Sequence, residues 1–175
     1  MKKNIILLPL LMLALASCGE NNSNGGNNSS AANFETITYT IVGSLPEGLT
    51  YIPSSTQFPN PSFYKDSGLK LRYENMGVST AIPEFTGSLN VTIDIALTNN
   101  EKTAAASTHL FTITALNSSS ADCGVAYLDT VEVGTNTVKV DVTKATSLKV
   151  VMTGYPKTGE KFNNVNLKSL TIAKA

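Results

Sequence analysis

The chain has 175 residues, 42% of them hydrophobic and 15% charged, with 13 Lys+Arg against 13 Asp+Glu. Arg72 is the only arginine and no basic run occurs, which argues against nucleic acid as a partner, because neutralising phosphates takes several cations on one face. With one histidine and two cysteines, metal centres built on several of either are excluded.

The N-terminus carries Lys2 and Lys3, then an apolar run from Ile5 to Ala16. That order, basic then apolar, is the layout of a secretory signal. The run is about a dozen residues long, short of the ~20 that span a bilayer as a helix. Leu15-Ala16-Ser17-Cys18 resembles a bacterial lipobox. The resemblance implies cleavage after residue 17 and lipid on Cys18. Several acyl chains anchor a protein durably where one does not. Gly19, rather than aspartate, follows the cysteine, which in that family points to the outer membrane. Asn, Ser and Gly dominate residues 19–32. Such a stretch buries too little surface to offset its ordering entropy, and as a flexible chain it spans on the order of 20 Å. The expected organisation is therefore a signal peptide over 1–17, a lipidated cysteine with a tether over 18–32, and one domain over 33–175. Without residues 1–17 the chain has 11 Lys+Arg and 13 Asp+Glu.

Along the domain, apolar residues recur with period two, the spacing of a strand with one buried face. Ile37, Tyr39 and Ile41 come first, then Leu69, Leu71 and Tyr73. Leu89, Val91, Ile93, Ile95 and Leu97 make the clearest run. Phe111 and Ile113 follow. Val131 and Val133 lead through Gly134-Thr135-Asn136-Thr137 into Val138, Val140 and Val142, a hairpin pattern. Leu148, Val150 and Met152 come next. Val165, Leu167, Leu170 and Ile172 close the chain, and their parity changes between 167 and 170, the mark of a bulge or a change of sheet. No segment of the domain has helical periodicity. Eight to ten such strands make an all-β, antiparallel β-sandwich, jelly-roll-like or immunoglobulin-like.

The stretch Ser62-Phe63-Tyr64-Lys65-Asp66-Ser67-Gly68-Leu69-Lys70-Leu71-Arg72, with Val78 and Ile82-Pro83-Glu84-Phe85 after it, resembles the opening of jelly-roll domains on secreted Bacteroidetes proteins. Those domains are similar to galactose-binding-like and carbohydrate-binding modules. The resemblance covers residues 62–175 and favours the jelly roll and a glycan ligand. The family's last strand carries two aspartates; here Lys168 and Ser169 stand in their place. A structural calcium held there in relatives is in doubt in this chain, and no cofactor is expected.

Catalytic patterns are thin. Ser67-Gly68-Leu69-Lys70, Tyr73-Glu74-Asn75 and Lys157-Thr158-Gly159 echo penicillin-binding enzymes. There the serine and lysine lie one helical turn apart, whereas here Leu69, Leu71 and Tyr73 alternate as a strand. His109 shares the parity of Phe111 and Ile113, so packing or a hydrogen bond suits it better than general-base work. Asp94 and Asp141 fall among polar-face residues, as solvated charges do. Cys123, in Ala121-Asp122-Cys123-Gly124, has no base in sequence reach to lower its pKa. The expectation is a non-enzyme.

Binding remains. Sugars stack on aromatic faces with polar groups fixing their orientation. The chain has no tryptophan, but Tyr51, Phe58, Phe63 and Tyr64 flank a proline-rich loop, Pro53 to Pro61, and long loops in small domains are often functional. Tyr51, Phe58, Tyr64 and Tyr155, the last beside Pro156, are the candidate ligand contacts. The expected partner is a glycan at the cell surface. The rival reading is a structural lipoprotein that contacts another envelope protein through a sheet edge.

Overall fold

The computed structural model describes residues 33–54, 58–64, 68–98, 101–106, 108–154, 157–158, 161–162 and 164–175. The segments expected to be signal peptide and tether, Cys18 among them, lie outside the described residues, as does Tyr155. Among the described residues twelve strands run β1 (Ile37–Thr40), β2 (Leu49–Ile52), β3 (Leu69–Leu71), β4 (Met76–Leu97), β5 (Thr103–Ala105), β6 (Phe111–Asn117), β7 (Asp122–Leu128), β8 (Thr130–Glu132), β9 (Gly134–Met152), β10 (Lys157–Thr158), β11 (Lys161–Phe162) and β12 (Val165–Lys174). Every pairing is antiparallel.

Two strands set the architecture. β4 has 22 residues and β9 has 19. Straight, β4 would reach about 70 Å, far beyond the width of a small domain, so the pair must fold over. It does so at residues 82–87 and 143–146, where the register shifts on either side of Phe85. Pro83 has no N–H to give to a ladder. Lys144 takes a left-handed conformation (φ 52°), its N–H donating to Thr86 Oγ1 at 2.9 Å. The fold-over also changes parity: Met76, Val78, Thr80 and Ile82 are buried before it, Leu89, Val91, Ile93 and Ile95 after it.

One layer then holds β2, the first half of β4, the second half of β9, β6 and β7. The other holds β1, β12, the second half of β4 and the first half of β9, with β3 also on β12. Inner faces of both layers belong to one apolar core, including Leu89, Ile93, Phe111, Ile113, Val150, Met152, Leu167 and Ile172. Each such side chain contributes about 1.5–3 kcal/mol by leaving water. A long ribbon wrapped over both layers is the jelly-roll arrangement, and the protein is an antiparallel β-sandwich of that kind.

The expected irregularity in the last strand is present: β12 shifts register between Leu167 and Ser169. There it also changes neighbour, from β3 to β1. The expected hairpin at 131–142 does not form. β8 pairs with β5 in a small separate sheet with β10 and β11, because the Val133 N–H is taken by Lys102 O at 2.8 Å. The Asn136 amide holds the turn, accepting from Glu132 N and donating to Glu132 O, both at 2.8 Å.

The two ends of the sandwich differ. At the fold-over end, Phe34 packs edge-on against Phe85, centroids 5.1 Å apart, and the Ala175 N–H bonds Ser88 O at 2.9 Å. At the other end the strands of both layers break into loops.

Candidate functional site

The loop end is where β2 finishes at Ile52, β9 at Met152 and β7 at Leu128, and where β4 and β6 begin. The register fixes this: Ile52 opposes Gly77, Met76 opposes Met152, and Phe111 opposes both Met152 and Leu128. The described segments 53–54, 58–62, 72–75 and 108–110 therefore emerge side by side.

Tyr51 opposes Val78 and packs partly buried against the core. Its hydroxyl donates to the Phe58 carbonyl at 3.3 Å. Burial pushes its phenol above the ordinary tyrosine value, since an apolar surround disfavours the phenolate. Tyr51 thus anchors the proline-rich loop. Phe58, on that loop, stacks on Tyr73, centroids 4.5 Å apart and planes at 22°. Tyr73 is 37% exposed.

Tyr73 reaches the surface because β3 stops at Leu71. The Arg72 N–H bonds Met76 Sδ at 3.3 Å, Asn75 sits at φ 68°, and the Asn75 N–H donates to Met152 O at 2.7 Å. Asparagine tolerates this left-handed turn better than most residues. The turn swings residue 73 out of the sandwich and against Phe58.

Tyr64 lies apart from this group. Its N–H bonds Gly68 O at 3.1 Å, in a bend that precedes β3, and Lys70 Nζ sits 4.9 Å from its ring centroid. One face is thereby occupied by a cation, although the residue is 45% exposed. So the structure brings Tyr51 and Phe58 together, adds Tyr73, and leaves Tyr64 on the β3 side. Phe63, partly buried, packs against the core.

A second aromatic pair stands at the same end. His109 stacks on Tyr127, centroids 3.8 Å apart and planes at 21°. His109 Nδ1 donates to Asp129 Oδ1 at 2.5 Å. The histidine does not follow Phe111 into the core, because Leu110 and Phe111 are both fully buried and the alternation breaks between them. The Leu110 N–H bonds Leu128 O at 2.9 Å, which turns His109 outward over β7. Tyr73 and Tyr127 are the surface aromatics that sequence reasoning left out of the site. The signal for Tyr73 was the Tyr-Glu-Asn turn.

Elsewhere several charged groups have local partners, although Arg72 Nε, Asp94 Oδ1 and Asn166 Oδ1 are buried without a hydrogen-bond partner. Lys168 Nζ lies 3.1 Å from Asp94 Oδ2, and Lys139 Nζ 3.9 Å from Asp141 Oδ1. Residue 168, aspartate in the resembling family, is thus a cation already paired with the nearby carboxylate. Among the described residues no group of three His, Cys, Asp or Glu is placed to hold a metal. Cys123 is a free, partly buried thiol.

No protein-family model matches the chain. No curated protein matches it. Among solved structures it is similar to the CBM36-1 domain of a multidomain xylanase from the hindgut metagenome of Trinervitermes trinervoides, at 14% identity over 81% of this chain and 98% of that one, TM-score 0.44. It is similar to the CBM22-1 and GH10 modules of Clostridium thermocellum endo-1,4-beta-D-xylanase 10B, complexed with xylohexaose, at 9% identity and TM-score 0.49; 81% of this chain is covered, and it spans 29% of that one. The CBM22-1 xylan-binding domain from Paenibacillus barcinonensis Xyn10C gives 10% identity over 82% of this chain and 97% of that one, TM-score 0.40.

Proposed function

We propose that the protein is an outer-membrane lipoprotein, anchored through Cys18, whose β-sandwich binds glycan without catalysis. The observation that carries the binding role is the Phe58–Tyr73 stack at the loop end. A part-exposed aromatic face, backed by a second ring and a loop pinned by Tyr51, is a rigid platform of the kind a sugar ring packs on. The anchor rests on Leu15-Ala16-Ser17-Cys18 and the tether that follows. The non-catalytic reading is supported by the engagement of His109 with Asp129 and Tyr127, and of Asp94 and Asp141 with lysines.

The test is binding of the protein to immobilised xylan, cellulose, mannan, starch and pectin. Retention on at least one, lost in Tyr73→Ala with the fold intact, supports the role. Retention on none sinks it. Membrane anchoring is tested separately: Cys18→Ser should move the protein from the membrane to the soluble fraction. A second reading, docking on another envelope protein, is favoured by one feature. β7 lies at a sheet edge with Val125 and Tyr127 42% and 48% exposed, and it takes the lead if no glycan binds.

A further inference from the structure

The two stacked aromatic pairs share one end of one layer. Phe58–Tyr73 sits at the start of β4, and His109–Tyr127 at the start of β6 and the end of β7. From β4 across β9 and β6 to β7 is three strand spacings, about 14 Å. That is the reach of a short oligosaccharide rather than of a single sugar.

Between them, beside Val151, lie hydroxyl groups. Thr112 Oγ1 and Thr153 Oγ1 are hydrogen-bonded at 2.8 Å, and Thr153 Oγ1 donates to the His109 carbonyl at 3.1 Å. Thr112 opposes both Tyr127 and Val151 in the ladder, so it shares their face of the sheet. At the far edge the Asp129 carboxylate holds His109 while its side chain remains 72% exposed, free to accept further hydrogen bonds. Aromatic faces at both ends, with hydroxyls and a carboxylate among them, match the alternation of apolar ring faces and hydroxyl edges along a glycan. An apolar protein surface would instead take the exposed Asp129 carboxylate out of water, at a cost.

We infer that His109–Tyr127 is a second contact for the same glycan chain, so that the site grips an extended segment running across the strand ends. The inference rests on the glycan-binding reading above. Stacking by Tyr127 adds to affinity only when the ligand is long enough to reach from Tyr73. Asp129 is a positioning residue, fixing the imidazole against the Tyr127 ring.

The experiment is calorimetric titration of the full chain with ladders from disaccharide to hexasaccharide of β-1,4-linked xylose, β-1,4-linked glucose and α-1,4-linked glucose. Wild-type affinity should climb with length and level off. Tyr127→Ala should flatten the climb, losing about tenfold on the longest members, the equivalent of 1.4 kcal/mol, with disaccharide affinity within about twofold. Asp129→Asn, which keeps the shape, should lose less. Tyr127 is half exposed, so a thermal melt checks that the variant stays folded. A Tyr127→Ala protein that keeps the full length dependence overturns the second contact and leaves the glycan reading standing. Equal loss at every length overturns it too. No binding of any ladder by wild type overturns both.

Discussion

Phe58 and Tyr73, fifteen residues apart in sequence, stack 4.5 Å centroid to centroid and 22° from parallel, with neither ring in a strand. The contact joins the proline-rich loop to the turn that opens β4. Tyr73 is the more accessible partner of the pair. Tyr73→Ala should weaken binding of a retained polysaccharide about tenfold or more, on the scale of one lost aromatic contact. Its melting temperature should move by only a few degrees, since the ring is not core. Affinity electrophoresis beside a thermal melt separates the two effects. A large fall in stability would make Tyr73 a structural residue instead.

Tyr51 should give the protein an alkaline limit. Its phenol ionises above the ordinary value in the folded protein because burial disfavours the phenolate. In the unfolded chain it ionises near pH ~10. Below that pH both states keep the proton and Tyr51 adds no pH dependence. As pH rises beyond it, the unfolded chain loses its proton first, and stability falls towards the folded pKa. Tyr51→Phe should flatten that decline between about pH 9 and 11. At neutral pH it should cost about 1 kcal/mol, for the hydrogen bond to the Phe58 carbonyl. Urea unfolding at a series of pH values measures both.

Gly68 is held by sterics. Its φ is +91°, and a Cβ there would lie 2.1 Å from Leu167 O, a backbone atom of β12. Gly68→Ala should therefore destabilise by more than about 1 kcal/mol, through a clash and a forbidden backbone together. The change should also loosen β3, which pairs with β12 at Leu167. Hydrogen exchange at Leu69 and Leu71 reports that loosening directly. Unchanged protection would mean that the strand adapts.

Ile93 tests the core. It is fully buried in the second half of β4, between Leu170 of β12 and Asn136 of β9 in the ladder. Ile93→Ala should cost about 2–5 kcal/mol, read as a lower urea midpoint.

The strands were legible wherever one face is apolar and the other polar. Leu89–Leu97 is the plain case, and the parity change before Leu170 located the β12 bulge. The hairpin at 131–142 was misread because local alternation says nothing about which strand a segment joins. β8 found its partner in Thr103–Ala105, far away in sequence. The loop aromatics Tyr51 and Phe58 were legible from the proline-rich segment between them. Tyr73 was not, since it extends the Leu69–Leu71 alternation, and only the left-handed Asn75 turn ends the strand before it. Tyr127 was hidden for another reason. Val125, Ala126, Tyr127 and Leu128 are apolar at both parities, so periodicity cannot say which of them faces out.

Phe34 on Phe85 and Ala175 on Ser88 place the entry and exit of the domain at the fold-over end. Both aromatic pairs crown the opposite end. A tag or fusion attached at Ala175 therefore pulls from the pole opposite the Phe58–Tyr73 and His109–Tyr127 stacks. In the proposed role, the crown is the end that a polysaccharide would meet. Immobilising the protein by its C-terminus on a sensor surface should preserve the same approach.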